Sequence, residues 1–214
     1  MRGSQQLNIA VFASGQGSNF QAIAQSIKKG KIPSAKLVLV VSDNANAGAL
    51  ELARTLFIPA VVLNPKQISS EQEYPATLKR ILHEHHVSFI VLAGYLKKLP
   101  SELIHEFKNR IVNIHPALLP NFGGKGMYGM RVHEAVLAAK SAESGATVHI
   151  VEEEYDRGPI VLQRKIEVLP GDTPESLAAR VLKVEHELYP EALRLFAEGK
   201  VHIENHRVKI LHDA

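Results

Sequence analysis

The sequence contains no cysteine, has few aromatic residues and lacks any long apolar run. The absence of cysteine excludes disulfides, thiolate nucleophiles, zinc sites built on Cys and iron–sulfur clusters. No apolar stretch approaches the roughly 20 residues that a membrane-spanning helix needs. No charged-then-apolar leader of the kind that directs secretion precedes the first apolar run. These absences favour a cytoplasmic protein with no membrane partner.

The charge of the chain is nearly balanced, because 25 Lys and Arg residues stand against 22 Asp and Glu residues, a formal net charge of +3. No block of basic residues carries this excess, and the aromatic residues, 6% of the chain, are not interleaved with basic ones. Proteins that bind nucleic acids show a basic stripe or cluster, often with aromatic stacking platforms. The composition therefore predicts small anionic ligands and no nucleic-acid partner.

Short apolar runs alternate with helical patterns through the first half of the chain. We predict strands at 8–13, 37–41, 60–63, 88–93 and 111–115, with helices between the first four. Such alternation is typical of βαβ units in a parallel sheet. The second predicted helix has an apolar face made of Leu50, Ala53, Leu56 and Phe57. The third is predicted over Glu71 to His86, with an apolar face made of Leu78, Ile81 and Leu82.

The second half of the chain has a different pattern of predicted strands and helices. A helix over 132–140 precedes two alternating strands, 146–151 and 160–168. Thr173 and Pro174 suit the N-cap and first position of a long helix running toward Glu198, and a small hairpin follows. We therefore predict a single α/β domain over residues 8–212, with a parallel half and then a mixed-sheet half. Residues 1–7 are predicted to be a disordered or non-native leader.

The first candidate site is the glycine-containing loop Ser14–Asn19, between a strand and a helix. Backbone N–H groups at a helix start bind phosphate, and glycine lets the ligand approach closely. A dinucleotide loop needs a third glycine where this chain has Phe20, so the loop favours a phosphate monoester. A plain tight turn between strand and helix is the alternative.

The second candidate site lies where the predicted strand 111–115 ends. Alternation places Asn113 and His115 on one face, where an amide and an imidazole can stabilise an oxyanion. Asp156, before a Gly-Pro turn, is positioned to orient a histidine and raise its pKa. A buried structural histidine and an aspartate that binds its own turn are the alternatives. The cluster His83–His86 lacks the spacing of a zinc helix, so no metal site is predicted.

Four motifs in order resemble the phosphoribosylglycinamide formyltransferase family, the folate-dependent enzymes of purine (IMP) biosynthesis. They are Ser14–Asn19, Asn113–Pro120, Gly145–His149 and Tyr155–Ile160. The resemblance implies a formyltransferase-type fold with Rossmann-like βαβ units. It also implies formyl transfer from 10-formyltetrahydrofolate, as co-substrate and without a metal, to the amine of phosphoribosylglycinamide. The enzyme is expected to be a monomer or homodimer.

The resemblance also implies roles for individual residues. Asn113, His115 and Asp156 match the catalytic residues. Glu185 is expected to contact the ribonucleotide, whose phosphate is expected to bind Gly17, Ser18 and Asn19. The folate contacts are expected from Leu96, Lys97, Lys98, Leu99, Asn113, Glu152, Glu153, Glu154, Tyr155 and Asp156.

Two alternatives and one departure remain at this point. The chain is predicted alternatively to formylate a different amine, such as an amino sugar or an aminoacyl-tRNA, or to be a non-catalytic nucleotide-binding regulator on the same scaffold. The departure is a glycine-rich insert at 123–130, where some relatives have Pro-Gly and a His, and its role is left open.

Overall fold

The structure is a computed structural model that describes residues 6–68 and 73–211. It divides into two compact units, Met1–Val112 and Asn113–Ala214. The first unit contains, in chain order, β1 (Leu7–Phe12), α1 (Ser18–Lys28), β2 (Ala35–Ser42), α2 (Gly48–Thr55), β3 (Ala60–Val62), α3 (Glu73–Glu84), β4 (Phe89–Leu92), α4 (Ser101–Glu106) and the start of β5 (Ile111–His115).

The strands of the first unit follow the order β3-β2-β1-β4-β5. β1 is parallel to both β2 and β4, and β2 is parallel to β3. All four residues of β4 are buried, as expected for a parallel strand with helices on both faces. Because parallel strands end at the same edge, the loops after β1, β2 and β4 meet at the carboxyl edge of the sheet.

The second unit contains the rest of β5, then α5 (Met130–Ala138), β6 (Glu143–Ile150), β7 (Ile160–Glu167), α6 (Pro174–Ala197), β8 (Val201–Glu204) and β9 (Arg207–Ile210). Its sheet follows the order β5-β6-β7, with β6 and β7 antiparallel, and β8 and β9 form a separate hairpin. The long helix α6 packs against β6, β7 and α5. It begins with a capping box, in which the Thr173 side chain accepts from Ser176 N and the Ser176 side chain accepts from Thr173 N.

The predicted α/β class, parallel half, mixed half and terminal hairpin are confirmed, but two details of the first unit were wrong. Sequence reasoning missed α4, whose six residues are too few to show a helical period. Leu56 and Phe57 are not part of a helix face, because α2 ends at Thr55. Phe57 takes a left-handed φ of 55° and is 95% exposed, since the chain turns there.

Several predicted boundaries lie at the limits of the described residues. β1 begins at Leu7, one residue before the predicted domain start, and residues 1–5 lie outside the described part. The predicted start of the third helix at Glu71 also lies outside it, and α3 is described from Glu73. Within residues 6–68 and 73–211, every helix falls short of the length and hydrophobicity that a membrane span needs.

Candidate active site

The end of β5 presents two of the predicted catalytic side chains. His115 is 3% exposed and Asn113 is half-buried, and strand alternation directs both to one face of the sheet. The chain after β5 is held by Thr147 of β6, a fully buried residue. Its hydroxyl donates to Ala117 O at 2.6 Å and accepts from Leu119 N at 3.1 Å. β6 therefore fixes the position at which β5, with Asn113 and His115, ends.

Asp156 reaches this site from the loop between β6 and β7. The loop is closed at its base by the hydrogen bond from Ile150 N to Pro159 O, 2.9 Å. Gly158 is required there, because a Cβ on it would lie 1.9 Å from Ile150 O. Asp156 itself has a left-handed φ of 55°, a conformation uncommon for a residue other than glycine. This backbone turns the carboxylate toward β5 and β6.

Asp156 lies between two histidines. Its Oδ2 is 3.7 Å from Nδ1 of His115, and its Oδ1 is 3.4 Å from Nε2 of His149. The Nδ2 group of Asn113 donates to Nε2 of His149 at 3.1 Å. Asn113, His149, Asp156 and His115 therefore form one polar chain, which joins all three predicted catalytic residues through a fourth.

His149 is that fourth residue, and sequence reasoning did not assign it a role. Its Nδ1 donates to Ile150 O at 2.8 Å, so the proton of the neutral ring lies on Nδ1. Nε2 then accepts from Asn113. The signal available in the sequence was alternation along β6, which places His149 and Thr147 on the same face.

The glycine-rich insert, whose role the sequence left open, packs against His115 and Asp156. Phe122 O, just before it, accepts from Nε2 of His115 at 2.8 Å, and Gly124 N donates to Asp156 Oδ2 at 2.8 Å. A Cβ on Gly123 would lie 2.5 Å from the Leu119 side chain and 3.1 Å from Cβ of Asp156. The segment Phe122–Gly124 therefore positions both residues through its backbone.

The ionisation of the two central residues follows from their surroundings. Burial alone raises the pKa of Asp156, but the neighbouring His149, the His115 charge and the Gly124 amide outweigh it, so the pKa is lowered. Burial lowers the pKa of His115 below its usual value, although Asp156 and the Phe122 carbonyl act to raise it. Asp156 therefore acts in the predicted direction on the pKa of His115, but burial is the larger effect and the net shift is downward.

A further histidine adjoins this cluster. His133 of α5 is 4% exposed, and no described residue forms a hydrogen bond with its Nδ1. Burial lowers the pKa of His133, and the charge of nearby His115 lowers it further. Two buried imidazoles next to each other disfavour double protonation.

The remaining predicted residues of the second unit occupy different surroundings. Glu185 lies on α6 and is 8% exposed. Glu153, Glu154 and Tyr155 are exposed on the loop that carries Asp156, while half-buried Glu152 lies 3.2 Å from Nδ1 of His206 in the hairpin. The loop thus places a buried carboxylate next to an exposed acidic surface.

In the first unit, the glycine-containing loop turns into α1. Gly17 is the N-cap residue with a left-handed φ of 81°, and a Cβ on it would lie 3.0 Å from both Cα and Cβ of Ala49. Ser18 starts the helix and Asn19, 8% exposed, follows it. The loop geometry leaves no room for a side chain at Gly17 and brings backbone amides to a helix start, which suits an anion.

The predicted folate segment, Leu96–Leu99, follows β4 in the same unit. Leu96 is 57% exposed, whereas Leu99 is 4% exposed and anchors the segment in the core. Lys97 is half-buried and Lys98 exposed. Among the described residues, no group of three or more His, Asp or Glu side chains is arranged to hold a metal ion.

Comparison with known proteins identifies the family. The profile described as "Formyl transferase" matches residues 7–193. This chain belongs to the formyl transferase family. A formyl transferase of Haemophilus influenzae, named phosphoribosylglycinamide formyltransferase, is 38% identical over 92% of this chain and 90% of its own length.

Two further members of the formyl transferase family are similar to this chain. The chloroplastic phosphoribosylglycinamide formyltransferase of Arabidopsis thaliana is 45% identical over 90% of this chain. The chain spans just under two thirds of that relative's length, 66%. The crystal structure of glycinamide ribonucleotide transformylase 1 from Symbiobacterium toebii has a TM-score of 0.91 at 40% identity, covering 99% of this chain and 96% of that one.

Proposed function

We propose that this chain transfers the formyl group of 10-formyltetrahydrofolate to the amine of 5-phosphoribosylglycinamide. The reaction gives the N-formyl product and tetrahydrofolate in IMP biosynthesis. The observation that carries the proposal is the pairing of Asp156 with His115 and His149 beside Asn113, within a formyl transferase chain. The names of the relatives support glycinamide ribonucleotide as the acceptor.

The proposed reaction is an acyl transfer between two amines. The substrate nitrogen forms a bond to the formyl carbon, and the carbonyl oxygen becomes an oxyanion. The bond from that carbon to N10 of the folate then breaks. One proton leaves the attacking amine and one arrives on N10, so the reaction needs proton carriers but no oxidant or reductant.

His115 and Asn113 are the proposed donors to the oxyanion. In the free protein, Nε2 of His115 donates to Phe122 O, so this bond must be exchanged for one to the formyl oxygen. Burial keeps His115 neutral near pH 7, but negative charge forming on the substrate favours the imidazolium. Protonation is then favoured chiefly in the transition state, which is where stabilisation raises kcat.

Asp156 is the proposed partner of that imidazolium and a carrier for the amine proton. Its lowered pKa leaves it ionised at neutral pH, with one oxygen toward each histidine. His149 holds Asn113 by a hydrogen bond and Asp156 by a close contact, so it acts as a positioning residue.

The proposed binding residues form two groups, one for the ribonucleotide and one for the folate. Backbone amides at Gly17, Ser18 and Asn19 would hold the ribonucleotide phosphate, and the Glu185 carboxylate would accept hydrogen bonds from the rest of that substrate. The folate would lie along Leu96–Leu99 and the loop Glu152–Asp156.

The test is formyl transfer by the purified protein. Glycinamide ribonucleotide, an amino-sugar nucleotide and methionyl-tRNA are each supplied with 10-formyltetrahydrofolate, with His115→Ala as the inactive control. We expect the N-formyl product from the ribonucleotide alone. Preference for another amine would reassign the acceptor. Binding of the nucleotide without any turnover would favour the non-catalytic regulator.

The cellular location and the assembly are also part of the proposal. We expect a cytoplasmic monomer or homodimer, although the Arabidopsis relative is named as chloroplastic. Cell fractionation and sedimentation velocity measure these two properties directly.

A further inference from the structure

Ser14, the first residue of the glycine-containing loop Ser14–Asn19, has a buried hydroxyl with two hydrogen-bond partners. Oγ donates to Oδ1 of Asp43 at 2.5 Å and accepts from the backbone N–H of Leu96 at 3.0 Å. Asp43 follows β2 and Leu96 follows β4. One hydroxyl therefore joins the loops after three neighbouring strands.

The backbone of Ser14 makes the same connections. Its N–H donates to Gly94 O at 3.1 Å, and its carbonyl accepts from Nδ2 of Asn44 at 3.3 Å. Gly94 precedes the folate segment and takes a left-handed φ of 77°. Both the backbone and the side chain of Ser14 therefore form hydrogen bonds with the loops after β2 and β4.

Asp43 supplies the charge at the centre of these contacts. It is 9% exposed, and its Oδ2 lies 3.5 Å from Nζ of Lys97, a residue of the folate segment. Removing either partner of a buried carboxylate takes away part of the compensation for its burial. The carboxylate therefore depends on both the Ser14 hydroxyl and the Lys97 ammonium.

Tyr95 anchors the same loop on the core. Its ring packs edge-on against Phe12 of β1, with centroids 5.3 Å apart, and its hydroxyl lies 3.0 Å from that of Tyr74. Burial, with the charge of Asp43 contributing, raises the pKa of both tyrosines. Leu96, the next residue, is by contrast 57% exposed, so the Ser14 hydrogen bond secures the point where the loop leaves the core.

We infer that Ser14 is a positioning residue that couples binding of the ribonucleotide phosphate at Gly17–Asn19 to binding of the folate at Leu96–Leu99. The inference rests on the proposed function. A ligand on either segment restrains the one set of hydrogen bonds that both share. The entropy cost of ordering that set then falls on the first ligand alone, so the second binds more tightly. Such coupling is reciprocal between the two ligands.

The experiment measures Kd by titration calorimetry with a pair of ligands that cannot react. Tetrahydrofolate carries no formyl group, so it forms a stable ternary complex with glycinamide ribonucleotide. We expect the wild-type protein to bind tetrahydrofolate at least about 5-fold more tightly when the ribonucleotide is saturating. The reverse titration must give the same factor.

Three variants isolate the hydroxyl. Ser14→Ala should reduce the coupling factor to about 1, and Ser14→Thr, which keeps a hydroxyl, should restore most of it. Ser88→Ala is the matched control, because the half-buried Ser88 hydroxyl also accepts a backbone N–H, that of Asn8, at 2.9 Å. Ser88 precedes β4 rather than following it, so this variant should keep the wild-type factor.

A second measurement needs no variant. The Leu96 amide should exchange with solvent deuterium more slowly once the ribonucleotide alone is bound. Two outcomes would overturn the coupling while leaving the enzyme assignment intact. One is independent binding of the two ligands to the wild-type protein, and the other is a coupling factor in Ser14→Ala equal to that of the wild type. If neither ligand bound alone, the proposed function would fail and the coupling with it.

Discussion

In the first unit the glycine-containing loop Ser14–Asn19 presents backbone amides at the start of a helix, whereas in the second unit ionisable side chains lie together beyond β5 and β6. Gly17 offers a helix start with no space for a side chain. Asp156, by contrast, lies between His115 and His149, and its pKa depends on both. Under the proposed function, the first arrangement recognises the shape and charge of the ribonucleotide, and the second carries protons. Changes in the first unit should therefore alter affinity, and changes in the second should alter turnover.

The largest expected effect is the loss of the catalytic pair. His115→Ala and Asp156→Asn should each lower kcat about 10²–10³-fold, the usual cost of losing a transition-state donor. Because the two residues act as one unit, the double variant should be little slower than the slower single variant. Single-turnover kinetics and calorimetry with both ligands separate turnover from binding. Strictly additive losses, or an equal loss of affinity, would contradict the paired role.

The first unit should show the opposite behaviour when Gly17 is changed. Gly17→Val places a branched side chain at a φ of 81° and against Ala49, so ribonucleotide affinity should fall about 10- to 100-fold, or ~1.4–2.8 kcal/mol. Gly30→Val is the matched control, because its φ is 70° but nothing lies within 4 Å of its Cβ. Both variants carry the backbone strain, and only Gly17→Val should lose the ribonucleotide. Similar affinities in the two variants would remove Gly17 from the binding site.

The ionisation of His115 gives a smaller, directly measurable effect. In the free wild-type protein its imidazole should titrate below the usual pKa of about 6.5, because burial outweighs the Asp156 charge. Asp156→Asn removes that charge, so the pKa should fall further and the imidazolium should disappear at a lower pH. NMR of the labelled imidazole follows both titrations. A higher pKa in the variant would reverse the role assigned to the carboxylate.

The smallest expected effect is on stability in mild acid. His115, His133 and His186 all have a lowered pKa in the folded chain. The unfolded chain therefore binds more protons, and the stability present above the unfolded pKa of about 6.5 is lost as pH falls through the folded values. Urea unfolding from pH 7.5 to 5.5 should show a shallower loss for His133→Asn than for the wild type. An equal loss of unfolding free energy with falling pH in the two proteins would mean that His133 does not contribute to this pH dependence.

Much of the fold was predictable because it depends on local patterns. β4 shows as a continuous apolar run, and the capping residue Thr173 marks the start of α6. The misses have equally local causes. α4 is too short to show a period, and Leu56 and Phe57 are apolar residues that the left-handed turn at Phe57 leaves exposed.

The candidate site was predictable in part. Asn113 and His115 share a face because strand side chains alternate. Asp156 was a candidate from its place before a Gly-Pro turn, and the family resemblance matched it to the catalytic residues. His149 was left unassigned because its partners, Asn113 and Asp156, come from two other segments of the chain. Alternation along β6 indicates which face His149 occupies, but it does not indicate these partners.

The sequence by itself determined the alternation of strands and helices apart from α4, the glycine turn before α1 and the shared face of Asn113 and His115 on β5, because each depends on neighbours along the chain. Tertiary structure decided what those groups experience. Burial lowers the pKa of His115 against the pull of Asp156. The fold also gives the Ser14 hydroxyl its two partners from the loops after β2 and β4. Both outcomes depend on desolvation and on residues far apart in sequence, which no local pattern encodes.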